Sequence, residues 1–241
     1  MTIGLATPQL SVVLPSYNEV DNLIPLIHGL KRWVTVSHEL VVMDDNSPDR
    51  TGEVVREAFA DDPSVAVQIR TRHRGLAYAI REGLERAGGE QVLVMDTDFN
   101  HDPALARQLI VLSPQADLVT ASRFCRGGGM AHRGYYHASK AYNQFISAML
   151  GTGVADNLFG YFIMPRAKLM ALPLDRIFYG YGDYFFRLLW YARAQGYSIL
   201  EIPAFCQARR AGRSKSRVLA MLLDYTWEVM KLRMDGWRAR S

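Results

Sequence analysis

The side chains best suited to chemistry lie in three acidic segments within the first 103 residues. Asp96 and Asp98 stand two apart in Asp96-Thr97-Asp98-Phe99-Asn100-His101, and alternate residues of an extended chain share a face, so both carboxylates project to one side. Asn100 offers a third oxygen two residues further on, and such oxygen donors suit Mg or Mn rather than zinc. The other two segments are Pro15-Ser16-Tyr17-Asn18-Glu19 and Asp44-Asp45-Asn46-Ser47. Carboxylates gathered in one place repel a phosphate unless a divalent cation lies between them. Neither GxGxxG nor GxxxxGKS/T occurs, so the chain lacks the loops that hold dinucleotides or P-loop phosphates.

Each acidic segment follows a short apolar run. Leu10 to Leu14 reads as a strand ending at Pro15, Leu40 to Met43 as a second, Val65 to Ile69 as a third and Gln91 to Met95 as a fourth. Helices are expected between them: one through Leu23, Ile24, Ile27, Leu30 and Val34, one from about Thr51 to Ala60, and one from about Gly75 to Ala87. Continuous apolar strands alternating with helices predict an α/β fold with a mostly parallel sheet covered on both faces. Ligands of such sheets bind beyond the carboxyl ends of the strands, where the acidic segments fall. Further on, a strand is expected at Ala116 to Ala121, a helix from about His137 to Leu150, a helix from Asp183 to Ala194, a strand at Ile199 to Ile202 and a basic loop from Arg209 to Arg217. The aromatic segment Asp156 to Met164 reads as either strand or loop.

Composition sets the frame. The chain has 241 residues, 49% of them hydrophobic and 22% charged, the balance of a soluble globular protein of one large domain with at most an appended segment. Two cysteines, Cys125 and Cys206, support neither a disulfide framework nor a thiolate zinc site. No apolar run is long enough to span a bilayer, and the opening MTIGLATPQL lacks the features of a signal peptide, so a cytoplasmic protein or one held at the inner face of the membrane is expected. The net charge of +4 is uneven: from Gln207 onward nine Lys/Arg face three Asp/Glu. That segment suits an anionic partner. Within it Val218, Leu222, Tyr225, Val229 and Leu232 form one apolar stripe, with Arg217, Asp224, Glu228 and Lys231 elsewhere. Together with Trp227 and Trp237 this predicts a C-terminal amphipathic helix, residues 218–241, appended to a catalytic domain, residues 1–217. It would lie on a membrane surface, pack on its own domain, or contact a second subunit.

Six segments, in order, resemble the inverting glycosyltransferases of family 2, which have the GT-A fold: VVLPSYNE (12–19), VVMDDNSPDRT (41–51), VMDTDFNHDP (94–103), ASRF followed by GGG (121–129), DNLFGYF (156–162) and EIP…RRAGRSK (201–215). Within that family the resemblance is greatest to polyprenyl (dolichyl) phosphate mannosyltransferases. It implies a nucleotide-sugar donor, with GDP-mannose favoured, a polyprenyl phosphate acceptor, and Mg or Mn. Asp96 and Asp98 become the DXD motif, with Asn100 as a further metal ligand. Pro15, Tyr17, Glu19, Asp45, Gly75, Asp96 and Thr97 become donor-binding residues. Read from the residues alone, Asn18 or Glu19 could instead cap the first helix, Asp45 could belong to a turn with Ser47 and Asp49, and Gly75 could simply start a helix. His101 reads as a surface imidazole.

A polyprenyl phosphate brings an ionised nucleophile, so its site needs positioning cations rather than a strong base. By resemblance these are Arg123, Arg133, Arg209 and Lys215, with Ser139 and Asn143 matching the family's spacing. The family's G-E-S-K stands here as Gly212-Arg213-Ser214-Lys215. A hydroxyl acceptor would need a base, and Asp183 is the candidate, its alternative role being the N-cap of its helix. A noncatalytic nucleotide-sugar or nucleic-acid-binding module is the rival from another class, and a nucleotidyltransferase a third. The acidic pair weighs against the former, and no nucleic-acid partner is expected.

Overall fold

The structure, a computed structural model, describes residues 7–206 and 218–238. A seven-stranded sheet runs in the order β3-β2-β1-β4-β7-β5-β8. Its strands are β1 (Leu10–Ser16), β2 (His38–Asp44), β3 (Val65–Ile69), β4 (Gln91–Val94), β5 (Leu118–Ser122), β7 (Phe162–Pro165) and β8 (Ile199–Pro203). All pairings are parallel except those of β7, which runs antiparallel to both β4 and β5. A small ribbon pairs β6 (Gly129–Met130) with β9 (Phe205–Cys206).

The connecting helices are α1 (Val20–Trp33), α2 (Thr51–Ala58), α3 (Leu76–Arg86), α4 (Leu105–Leu112), α5 (Arg133–Leu150), α6 (Arg166–Met170), α7 (Leu174–Ile177) and α8 (Tyr184–Ala194), followed by α9 (Val218–Arg238). The period of two in β1 serves two layers. Val12 and Leu14 pack with Leu23, Ile27 and Leu30 of α1, whereas Val13 joins Ile80 and Leu84 of α3 on the opposite face. The approach of α3 is close because Gly83 has no side chain: a Cβ there would meet Val13 Cγ1 at 2.5 Å.

Strand β1 has β2 on one side and β4 on the other, so the chain reverses direction across the sheet at that point. This is where an open α/β sheet leaves a crevice. The segments following β1, β2 and β4 all open onto it.

Some elements differ from expectation. Helix α4 is not among the expected elements, and α5 begins at Arg133, a turn before the expected His137. The ambiguous aromatic segment divides into a loop and the antiparallel strand β7. Helix α9 lays Tyr225, Val229 and Leu232 against Ile146 and Leu150 of α5 and Phe186 of α8. Burying such side chains contributes about 1.5–3 kcal/mol each. Glu228, expected off the apolar stripe, is buried as well, because it faces a buried arginine. Among the described residues no helix is long and apolar enough to cross a membrane.

Candidate active site

The first wall of the crevice is built by two loops that satisfy each other. After β2, Asp44 accepts from the Ser47 amide at 2.9 Å and from the hydroxyls of Ser16 and Ser47. The turn is therefore made by Asp44, not Asp45. Ser47 Oγ in turn accepts from the Asn18 amide (2.9 Å), Thr51 Oγ1 from Glu19 (3.0 Å) and Asp49 Oδ2 from Val20 (3.3 Å). Helix α1 consequently has its first amides capped by a neighbouring loop, and Glu19 makes no side-chain cap. Its carboxylate accepts instead from Asn22 Nδ2 at 2.7 Å.

Asp45 is left to face the crevice. Arg70 donates to one of its oxygens and the Gly75 amide to the other, at 2.6 Å. Burial pushes the Asp45 carboxyl up from the usual carboxylate range, outweighing the pull of Gly75 and Arg70. Gly75 sits at φ +136°, a conformation side-chain-bearing residues avoid, and it both starts α3 and lines the crevice.

The third segment, after β4, is held from beneath. His101 is 1% exposed, not at the surface as its sequence context implied. The Asp96 amide donates to its Nδ1 at 2.9 Å, and its Nε2 bonds the Phe159 carbonyl at 2.9 Å. These partners require the neutral ring with its proton on Nε2. Burial pushes its pKa down to about 4, so the ring stays neutral in ordinary conditions. It stacks on Tyr161 with ring centres 4.8 Å apart and planes 10° from parallel. Asp98 accepts from the backbone and side-chain amides of Asn100 at 3.1 and 2.9 Å. Asn100 thus turns its nitrogen to Asp98, while its oxygen lies 3.8 Å from Cys206 Sγ. Thr97 donates to the Pro15 carbonyl at 3.2 Å, tying the β4 segment to β1.

These three segments enclose a pocket of about 470 Å³. Pro15, Tyr17, Glu19, Asp45, Gly75, Asp96, Thr97 and Asp98 all line it, so every residue expected at the donor site is brought together. Two further lining residues add a cation and a phenol to this set. Arg74 places its guanidinium 5.2 Å from the centre of the Tyr17 ring, and Tyr181 arrives from the loop before α8. Among the described residues no three His, Cys, Asp or Glu cluster as a closed metal cage. A pair of carboxylates beside an open pocket fits a hard cation that takes its remaining oxygens from a ligand or water.

The second half of the site is organised by a buried ion pair. Arg123 donates from Nε and Nη2 to the two oxygens of Asp156, both at 2.8 Å, and its backbone amide adds a third bond at 2.9 Å. The guanidinium also lies 4.9 Å from the centre of the Phe159 ring, within electrostatic reach of Asp96. Glu201 of β8 accepts from the amides of Ala155 and Asp156, fixing the carboxylate that fixes Arg123. Asn143 is buried and binds the Asn157 amide and the Ser139 carbonyl, so its part is to fasten that loop to α5. Ser139 is half-buried on α5. Arg133 opens that helix, its side chain outside the described ones, and Arg209 and Lys215 lie outside the described residues.

Asp183 stands apart from the pocket lining. Its carboxylate accepts from Arg187 and, at 2.9 Å, from the Tyr181 amide, and it makes no side-chain cap for α8. Asp156 heads the DNLFGYF segment that carries the resemblance, but neither it nor Arg187 shows in the sequence which residues it will pair with. Their partners are remote or of ordinary type.

Sheet order, crevice and acidic pair together describe an α/β enzyme-type ligand site, and comparison with known proteins gives its class. Residues 11–172 match the model of Glycosyl transferase family 2, and the chain belongs to that family. It is 36% identical over 242 residues to an undecaprenyl-phosphate mannosyltransferase of Micrococcus luteus, covering 95% of this chain and 97% of that one. It is 34% identical to a polyprenol monophosphomannose synthase of Mycolicibacterium smegmatis, over 87% of this chain and 81% of the other. The fold matches glucosyl-3-phosphoglycerate synthase of Mycobacterium tuberculosis, solved with Mn2+, UDP-glucose and phosphoglyceric acid, with a TM-score of 0.68 and 22% identity over 95% of this chain and 80% of that one. The protein is a glycosyltransferase with the GT-A fold.

Proposed function

We propose that this enzyme transfers mannose, with inversion, from GDP-mannose to a polyprenyl phosphate. The observation that carries this reading is the single pocket in which Asp45, Gly75, Asp96 and Asp98 meet, in a chain similar along most of its length to mannosyltransferases acting on such lipids. Asp45 and Glu19 hold the nucleoside, with Tyr17 and Pro15 shaping its bay. Arg74, at the pocket's rim, offers a cation to the diphosphate. Asp96 and Asp98 would hold Mg or Mn, which when bound neutralises the leaving diphosphate; the structural neighbour's bound Mn2+ supports this.

On the acceptor side, Arg123 orients the polyprenyl phosphate, joined by Arg133, Ser139, Arg209 and Lys215. The ionised phosphate oxygen forms its bond to the anomeric carbon as the bond to the diphosphate breaks. The electron pair leaves with the nucleoside diphosphate, so no protein base is required. The engagement of Asp183 with Arg187 speaks for this acceptor over a hydroxyl one.

Residues 1–217 form the catalytic unit in this reading, and 218–241 bring it to an anionic bilayer at the cytoplasmic face. Supporting that contact, Leu223, Trp227, Met230 and Met234 recur on the outer face of α9 and are exposed, opposite the stripe that packs inward. The test is transfer of labelled sugar into organic-extractable material from GDP-mannose, UDP-glucose and other donors in turn. Lipid-linked mannose that disappears with EDTA is the expected result. Metal-dependent donor hydrolysis without lipid product would move the acceptor to a hydroxyl compound.

A further inference from the structure

The loop between α7 and α8, residues 178–183, reaches the donor pocket from the half of the molecule that carries α9. Its Tyr181 lines the pocket, and the Gly180 carbonyl lies 3.7 Å from the Cβ position of Gly75. Its anchors come from behind. Arg187, fully buried on α8, donates to the carbonyls of Ile177 (2.8 Å) and Tyr179 and to Asp183. Asp183 in turn accepts from the Tyr181 amide at 2.9 Å.

Helix α9 closes this network. Glu228 is 8% exposed, accepts the Tyr179 hydroxyl, and lies 3.8 Å from Arg187 Nη1. The Tyr179 ring is held between Arg187, 3.7 Å from its centre, and Lys231, 5.7 Å away. The Tyr225 hydroxyl meets the Gly182 amide, and a Cβ on Gly182 would come within 2.6 Å of it. A buried carboxylate on a helix whose neighbours are apolar is costly unless it serves a buried cation, and here it does.

We infer that α9 is a strut for the donor site: Glu228 and Tyr225 are positioning residues that, through Tyr179, Arg187 and Gly182, hold Tyr181 over bound nucleotide sugar. The inference rests on the proposed donor reading of the pocket and extends it to a helix with no residue in the pocket lining.

The test compares wild type with Glu228→Ala and with the milder Tyr179→Phe, which removes one hydroxyl. Leu30→Val, a truncation at the far end of α1, controls for general loss of stability. Hydrogen exchange reports the strut without any donor: amides of residues 178–183 exchange faster in both variants, and not in the control. With donor, KM for the nucleotide sugar rises about fivefold to tenfold while kcat stays within about twofold. Glu228→Gln, which keeps an acceptor for Tyr179, recovers part of that loss. Unchanged exchange in the loop would overturn the strut, and faster exchange with unchanged KM would overturn its link to the donor. Should wild-type protein bind no nucleotide sugar, the donor reading fails, while the exchange result still decides the strut.

Discussion

The proposed donor and acceptor halves of the site are fastened in different ways. On the donor side, loops following β1, β2 and β4 bond to one another through short polar side chains, Ser47 to Asn18, Thr51 to Glu19 and Thr97 to Pro15, and the buried Arg70–Asp45 pair is one fastening among these several. On the acceptor side, the fastening is a buried ion pair, Arg123 with Asp156, backed by Glu201 and Asn143 from distant strands and helices. Many weak bonds shared among neighbours tolerate the loss of one. A buried pair does not, because losing one partner strands a charge.

That contrast is tested most severely by Asp156→Ala, which leaves Arg123 in a largely buried site without its carboxylate. A loss of about 3–5 kcal/mol is expected in denaturant unfolding. If stability fell by less than about 1 kcal/mol, the range of an exposed pair, the ion pair would not be the fastening described.

His101 probes the underside of the donor half through pH. Its folded-state pKa of about 4 lies below the ordinary 6.5, so between these values the unfolded chain takes up a proton that the folded one refuses. Stability therefore falls as pH drops from 6.5 towards 4, by up to about 3 kcal/mol from this group. The slope in that window should shrink in His101→Gln, as read by unfolding titrations at several pH values. An unaltered slope would assign the acid sensitivity to other groups.

Gly75→Ala sharpens the comparison from the donor side. Forcing a side chain to φ +136° costs about 1–3 kcal/mol. Because the Gly75 amide holds Asp45, donor KM should rise as well, with binding of the lipid acceptor unchanged. The smallest effect is expected from Trp227→Ala on the outer face of α9: stability within about 0.5 kcal/mol of wild type, but weaker sedimentation with anionic vesicles. Equal vesicle binding would remove that face from the membrane reading.

How far the sequence could be read follows the same division. Strands β1 to β4 and their helices are local units, each with its own periodicity, and the acidic segments at their ends announce themselves by type and spacing. All eight residues expected around the donor and the acidic pair, from Pro15 to Asp98, duly line one pocket. The acceptor half depends on contacts between residues far apart in the chain. Nothing near Asp156 in sequence says that it pairs with Arg123, thirty-three residues away. Glu228 likewise looked like a solvated charge because its partner, Arg187, belongs to another helix. The sequence places His101 at the surface because its burial depends on the distant Phe159 and Tyr161 folding over it. Asp44 and Asp45 are adjacent and alike, and only the backbone direction at the end of β2 decides which makes the turn and which faces the pocket.

The central claim is that Asp96 and Asp98 make the pocket a metal-dependent site for a nucleoside diphosphate. Calorimetric titration of GDP and UDP into wild-type protein and Asp98→Asn, with Mn2+ and with EDTA, tests it most directly. Binding that requires the metal, and that weakens by at least about a hundredfold in the variant, is predicted. Binding of equal strength with and without metal, and unchanged by the substitution, would contradict it.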